Sequence, residues 1–130
     1  VEQSALKLAE HIETEARQSI ADRLISIFGK LAVTHDAKIM GASQHTWKFD
    51  AAVNCGDRMV LFALTTPSAN SVASSFVKLD DVRRLDPPPR NVAVLTKRAA
   101  FKPDQITILN RAAKLISADD PDADYRKLVA

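Results

Sequence analysis

Between residues 3 and 28 the apolar positions Ala5, Leu8, Ala9, Ile12, Ala16, Ile20, Leu24, Ile27 and Phe28 recur at steps of three and four. Glu10, Glu13, Glu15, Arg17 and Arg23 fall on the other side. A period near 3.6 with one apolar stripe predicts a long amphipathic helix, and Gly29 is a natural stop. The near-heptad spacing leaves two partners open for the stripe: a second helix in a coiled coil, or a sheet in the same domain.

The period then changes. Residues 32–40 have some strand character and bend at Gly41. From Gln44 to Val53, Trp47, Phe49, Ala51 and Val53 alternate with Lys48, Asp50, Ala52 and Asn54. A period of two predicts a strand with one apolar face, which sets Asp50 on the face opposite Trp47 and Phe49. Asn54-Cys55-Gly56-Asp57 is a turn signal. The run Met59 to Leu64 is apolar throughout and suits a strand buried on both faces.

A second helix is expected from Pro67 or Ser68 to about Leu85, on the stripe Val72, Phe76, Leu79, Val82 and Leu85. Ser68 or Ser71 can cap it. Asp86-Pro87-Pro88-Pro89 ends it, because proline cannot continue a helix. Asn91 to Thr96 predicts another buried strand. Asp104 then caps a third helix carrying Ile106, Leu109, Ala112, Ala113 and Ile116. The acidic run after Ser117 reads as a polar tail. The expectation is one α/β (α+β) domain over residues 1–118, of order αβββαβα, with a small mixed sheet flanked by helices, and a tail over 119–130.

Composition narrows the functional classes. The chain has 130 residues, 46% of them hydrophobic, which is ordinary for a folded domain. A net charge of +2 does not by itself mark a nucleic-acid binder. The cations to weigh for that role are Lys48, Arg83, Arg84, Arg90, Lys97, Arg98 and Lys102. The single cysteine, Cys55, excludes an intrachain disulfide and fits a reducing, cytoplasmic setting. No apolar run reaches the length of a membrane span. His11, His35 and His45 lack metal-ligand spacing, and three glycines cannot build a phosphate-cradling loop.

The order of elements resembles the restriction-endonuclease-like fold of the PD-(D/E)XK superfamily. That resemblance implies an Asp on the second strand and an acid-x-Lys on the third. The two carboxylates hold Mg²⁺, and the lysine helps to activate water. Asp50 matches the first position. If the turn centres on Cys55 and Gly56, Asp50 faces Leu61, and the acid and lysine should fall near Ala63 and Thr65, where neither stands. Some members of the superfamily move a catalytic residue to the neighbouring helix, which here offers Lys78, Asp80 and Asp81.

A second likeness rests on Gly41-Ala-Ser-Gln-His-Thr-Trp-Lys-Phe-Asp50, Leu64-Thr-Thr-Pro67, Lys78-Leu-Asp-Asp-Val82 and Asn91-Val-Ala-Val-Leu95. These stretches resemble uncharacterised bacterial and phage-associated proteins, in which a similar domain follows an N-terminal domain of unknown function. With Val1 and not Met at the start, this implies a preceding domain in the full protein. The expected function is therefore a non-catalytic nuclease-like module for protein interaction or assembly. Self-association through the first helix or a sheet edge would be its concrete form. The alternatives are nucleic-acid binding, and a divergent Mg²⁺-dependent nuclease built on Asp50, the one case that calls for a cofactor.

Overall fold

The computed structural model describes residue 15 and residues 18–129. Helix α1 covers residues 18–28. Residues 3–14, 16 and 17 of the helix expected from residue 3 lie outside the described residues. There follow β1 (Val33–Met40), β2 (Thr46–Cys55), β3 (Arg58–Thr65), α2 (Ala69–Arg83), β4 (Arg90–Leu95), a 3-10 turn (Arg98–Ala100), α3 (Pro103–Asn110), β5 (Lys114–Ser117) and α4 (Asp122–Val129). The strands form one mixed sheet in the order β1-β2-β3-β4-β5. The first three are antiparallel neighbours; β3, β4 and β5 run parallel. The expected α+β architecture, a mixed sheet flanked by helices, is what the chain adopts.

Each face of the sheet buries its own apolar layer. Leu61, Ala63, Ala93 and Leu95 lie under α2 and α3, against Val72, Leu79, Val82 and Leu109. Val60, Phe62, Val92 and Val94 point the other way, towards Ile20 and Leu24 of α1 and Tyr125 and Val129 of α4. The unbroken apolar run of β3 thus serves two cores. The helix stripe read as either a coiled-coil seam or a sheet-packing face meets the sheet through Ile20 and Leu24.

Three expectations need correction. First, the alternation along β2 changes face at Asp50. Phe49 and Ala52 belong to the α2–α3 core, whereas Ala51 and Val53 belong to the α1–α4 core. On β1 the pairs His35↔Ala51 and Ala37↔Phe49 flank Asp36, which takes a φ of 51°. A short polar side chain tolerates this left-handed conformation, and it lets both strands twist through the switch. Second, the β2–β3 turn is Gly56-Asp57, with Cys55 paired to Arg58. Gly56 supplies the positive φ, 65°, that a two-residue hairpin needs at its first position. Position 50 therefore comes level with Ala63, not Leu61.

Third, the C-terminal region is ordered. Helix α3 ends at Asn110; Ala112 and Ala113 form a turn, and Ile116 lies on β5. Lys102, not Asp104, occupies the cap position, where its N–H donates to Gln105 Oε1 at 2.9 Å. The stretch read as a polar tail carries α4, with Tyr125 fully buried. The Tyr125 hydroxyl donates to Ser117 O at 3.1 Å. Arg23 of α1 fastens this region. Its Nη1 donates to Ala118 O at 2.7 Å, its Nη2 to Asp120 O and its Nε to Asp122 Oδ1 at 2.9 Å, and its guanidinium lies 4.4 Å from the Tyr125 ring centre.

Candidate functional site

The face switch at Asp50 has a local consequence. Pairing between β2 and β3 starts at Ala51↔Phe62, so β3 beyond Phe62 lacks a β2 backbone partner. Asp50 Oδ2 takes the place of a strand carbonyl and accepts the Leu64 N–H at 2.6 Å. Leu64 is buried, so without this bond its N–H would lie unsatisfied in the core. The acid expected to begin a catalytic group is built into the sheet.

The positions that the expected register gave the acid-x-Lys pattern hold Ala63 and Thr65, both fully buried under α2; the observed register moves the pattern two residues on, to Thr65 and Pro67, again without an acid or a lysine. The Thr65 hydroxyl is 2.7 Å from that of Ser75. Lys78 does reach this end of the sheet. Its Nζ donates to Lys48 O at 3.0 Å and lies 5.1 Å from the Phe49 ring centre. It therefore secures the displaced half of β2. Among the described residues no three His, Cys, Asp or Glu side chains stand close enough to share a metal ion. Mg²⁺ prefers six oxygens in near-octahedral array, and one carboxylate already engaged by a backbone N–H does not fit that demand.

Asp81 holds the β1–β2 connection. Its Oδ2 accepts from Trp47 Nε1 and from the Ser43 hydroxyl, both at 2.7 Å, and its Oδ1 accepts the Ser43 N–H at 2.9 Å. The Trp47 bond, and then those from Ser43, hold its carboxyl below the ordinary aspartate value. Asp80 points elsewhere. Its bond from Arg83, with Arg84 beside it, lowers its carboxyl too. His45 stacks obliquely on Trp47 with ring centres 4.2 Å apart.

A cleft of about 300 Å³ opens at the C-terminal end of β3, among Thr66, Ser68, Ser71, Ser74 and Lys78. Its hydroxyls largely serve the start of α2: Ser68 Oγ accepts the Ser71 N–H at 3.2 Å, and Ser71 Oγ accepts the Thr66 N–H at 2.9 Å. The sequence shows this serine run but not that it lines a cleft beside the Asp50 bond.

The cations considered for nucleic acid do not form one surface. Lys97, Arg98 and Lys102 follow the C-terminal end of β4, whereas Arg90 opens that strand and Arg83 and Arg84 close α2. Seven residues of extended chain separate Arg90 from Lys97, about 20 Å. Lys48 lies on β2, 3.6 Å from Asp36. At the Arg90 end three cations that sequence reading passed over, Arg58, Arg111 and Lys114, join Arg83 and Arg90 around one recess. Only strand order could have brought them together: Arg58, Arg90 and Lys114 each open one of three neighbouring parallel strands.

No family model and no curated protein matches the chain. Among solved structures it is similar to the crystal structure of a protein of unknown function, AF1548, with a TM-score of 0.55 and 7% sequence identity. The match covers 88% of this chain and 62% of that one, so the domain spans less than two thirds of its neighbour's length. At this identity the likeness is one of fold: a mixed five-stranded sheet between helices. No helix among the described residues is long and apolar enough to cross a membrane.

Proposed function

We propose that the domain is a non-catalytic nuclease-like module that works by binding a protein partner or a second copy of itself. The observation that carries this reading is the bond from Leu64 N–H to Asp50 Oδ2. It gives the one matching acid of the nuclease pattern a structural task, beside a strand where neither an acid nor a lysine stands at Ala63, Thr65 or Pro67. Apolar side chains left in solvent support contact with protein: Leu31 precedes the edge strand β1, Met40 ends it, and Val77 and Ile108 stand on α2 and α3.

Stability and cleavage together test it. Asp50→Ala is expected to destabilise the chain by about 2 kcal/mol, the cost of an unsatisfied buried N–H. Asp50→Asn, which keeps an acceptor oxygen, should cost less than half of that in urea unfolding. The chain should not nick single- or double-stranded DNA with Mg²⁺ or Mn²⁺. Metal-dependent cleavage abolished by Asp50→Asn at unchanged stability would establish the nuclease reading instead. Light scattering across a concentration series then separates self-association from a requirement for another protein.

Nucleic-acid binding is the second reading, favoured by the recess at the start of the parallel strands. Attachment through Lys97, Arg98 and Lys102, or through Arg83, Arg84 and Arg90, would show as a fall in affinity with rising salt.

A further inference from the structure

The recess at the end of the sheet away from Asp50 has a volume of about 550 Å³, within the range of small-molecule sites. Arg58, Arg83, Arg90, Arg111 and Lys114 line it, and no carboxylate does. Cations at helix C-termini are ordinary, because they face the negative end of the helix dipole. That accounts for Arg83 on α2 and Arg111 just past α3. It does not account for Arg58 or Lys114, which open strands. Arg83 is partly neutralised by Asp80, and Arg90 Nη1 is held at 3.2 Å by Leu128 O. Among the described residues, Arg58, Arg111 and Lys114 make no ion pair.

Asn91 forms part of the same lining and is only 9% exposed. Its Nδ2 donates to Leu79 O at 2.9 Å and Ala112 O at 3.2 Å, which fixes the orientation of the amide. Its Oδ1 has no partner, the one buried side-chain polar atom of the described residues left so. A buried acceptor without a donor costs free energy that a bound group can recover.

We propose that this recess binds the phosphate groups of a nucleotide. Guanidinium forks match phosphate oxygens in pairs. Five cations against one neutralising acid, Asp80 on Arg83, suit a ligand with more than one negative charge. Asn91 Oδ1 calls for an N–H or O–H donor, which a nucleoside carries and a fully ionised phosphate lacks. The same chemistry is offered by a free nucleotide and by a nucleotide within a strand. The site does not depend on Asp50.

Isothermal titration calorimetry of the chain at low ionic strength tests this with three metal-free probes: inorganic pyrophosphate, ADP and a short single-stranded oligonucleotide. ADP is expected to bind more tightly than pyrophosphate, and more weakly as salt rises. The paired change Arg58→Glu with Arg111→Glu, both exposed residues, should weaken binding at least tenfold, with thermal melting confirming the fold. Lys30→Glu with Lys38→Glu, exposed residues just before and on the edge strand β1, should leave it within twofold. If the oligonucleotide shows the same dependence at higher affinity than ADP, the source is a strand; if ADP alone binds, it is a free nucleotide. Absence of binding by all three, or binding indifferent to the Arg58 and Arg111 changes, overturns the site. Equal affinity for pyrophosphate and ADP overturns its nucleoside half.

Discussion

At the scale of single residues, the tightest constraint is the meeting of Gly41 with Asp81. A Cβ on Gly41 would fall 2.1 Å from Asp81 Oδ2 and 2.6 Å from its Cγ. The carboxylate would have to leave, and with it the bonds from Trp47 and Ser43. Gly41→Ala should therefore cost about 1–3 kcal/mol in urea unfolding, the range for overpacked sites. In an Asp81→Ala background the obstructing atoms are gone, so the same change should cost close to nothing; equal cost in both backgrounds would show that the two residues do not oppose one another. The pH dependence carries a sign. The folded carboxyl of Asp81 is held below its unfolded value by Trp47 first and then Ser43. Its stabilisation is complete above about pH 4, the unfolded range, and is lost as pH falls through the lower folded value. Asp81→Asn should show a shallower loss of melting temperature below that pH than the parent chain. Sequence reading picked out both Asp81 and Trp47, but as a helix acid and a strand aromatic, 34 positions apart. Periodicity assigns a residue to a face; it does not say which side chain on another element comes within hydrogen-bond reach.

At the scale of elements, what was legible followed from regular periods. The β2 and β3 strands, α2 and β4 stand close to their expected bounds because apolar alternation, an unbroken apolar run, a serine cap and a proline stop each act locally. What was missed has equally physical causes. Strand β5 has four residues, too few for a period to register. Helix α4 buries little beyond Tyr125 and Val129. Its signals were electrostatic: Pro121 ahead of it, Asp122 and Asp124 in the first turn, Arg126 and Lys127 in the last, each placed to suit the helix dipole. The docking of α4 can be read out through its tyrosine, the only one in the chain. Burial pushes the phenol up to about 12. Absorbance of tyrosinate should therefore emerge near pH 12 in the folded chain and near pH 10 after denaturation in urea. Because the folded value is the higher one, the unfolded state loses its proton first, and stability should fall as pH rises from about 10 to 12. A titration near 10 in the folded chain would mean that α4 does not cover the sheet. Tyr125→Phe, which removes the bond to Ser117 O, should cost about 1 kcal/mol.

At the scale of the whole molecule, the sheet keeps its two polar ends apart. Asp50 touches Leu64 near the C-terminal end of β3, and Arg58 opens that strand six residues earlier. At about 3.3 Å per residue the two ends lie roughly 20 Å apart, with Val60, Leu61, Phe62 and Ala63 fully buried between them. One end satisfies its polar groups internally, through a carboxylate on a backbone N–H, a lysine on a backbone carbonyl and hydroxyls on the start of α2. The other gathers five cations around one recess, Arg83 among them held by Asp80, and leaves an amide oxygen without a partner. An end whose groups are satisfied serves the fold; an end that is not satisfied can gain by binding. If this division holds, changes at the two ends act independently. The stability losses of Asp50→Ala and of Arg58→Glu with Arg111→Glu should add to within about 0.5 kcal/mol when combined, as expected for sites this far apart. Asp50→Ala should leave the ADP affinity of the chain unchanged at a temperature where the variant stays folded. A fall in ADP affinity in that variant, comparable to the fall on reversing Arg58 and Arg111, would mean that the ligand sits at the Asp50 end, and the assignment of roles to the two ends would have to be reversed.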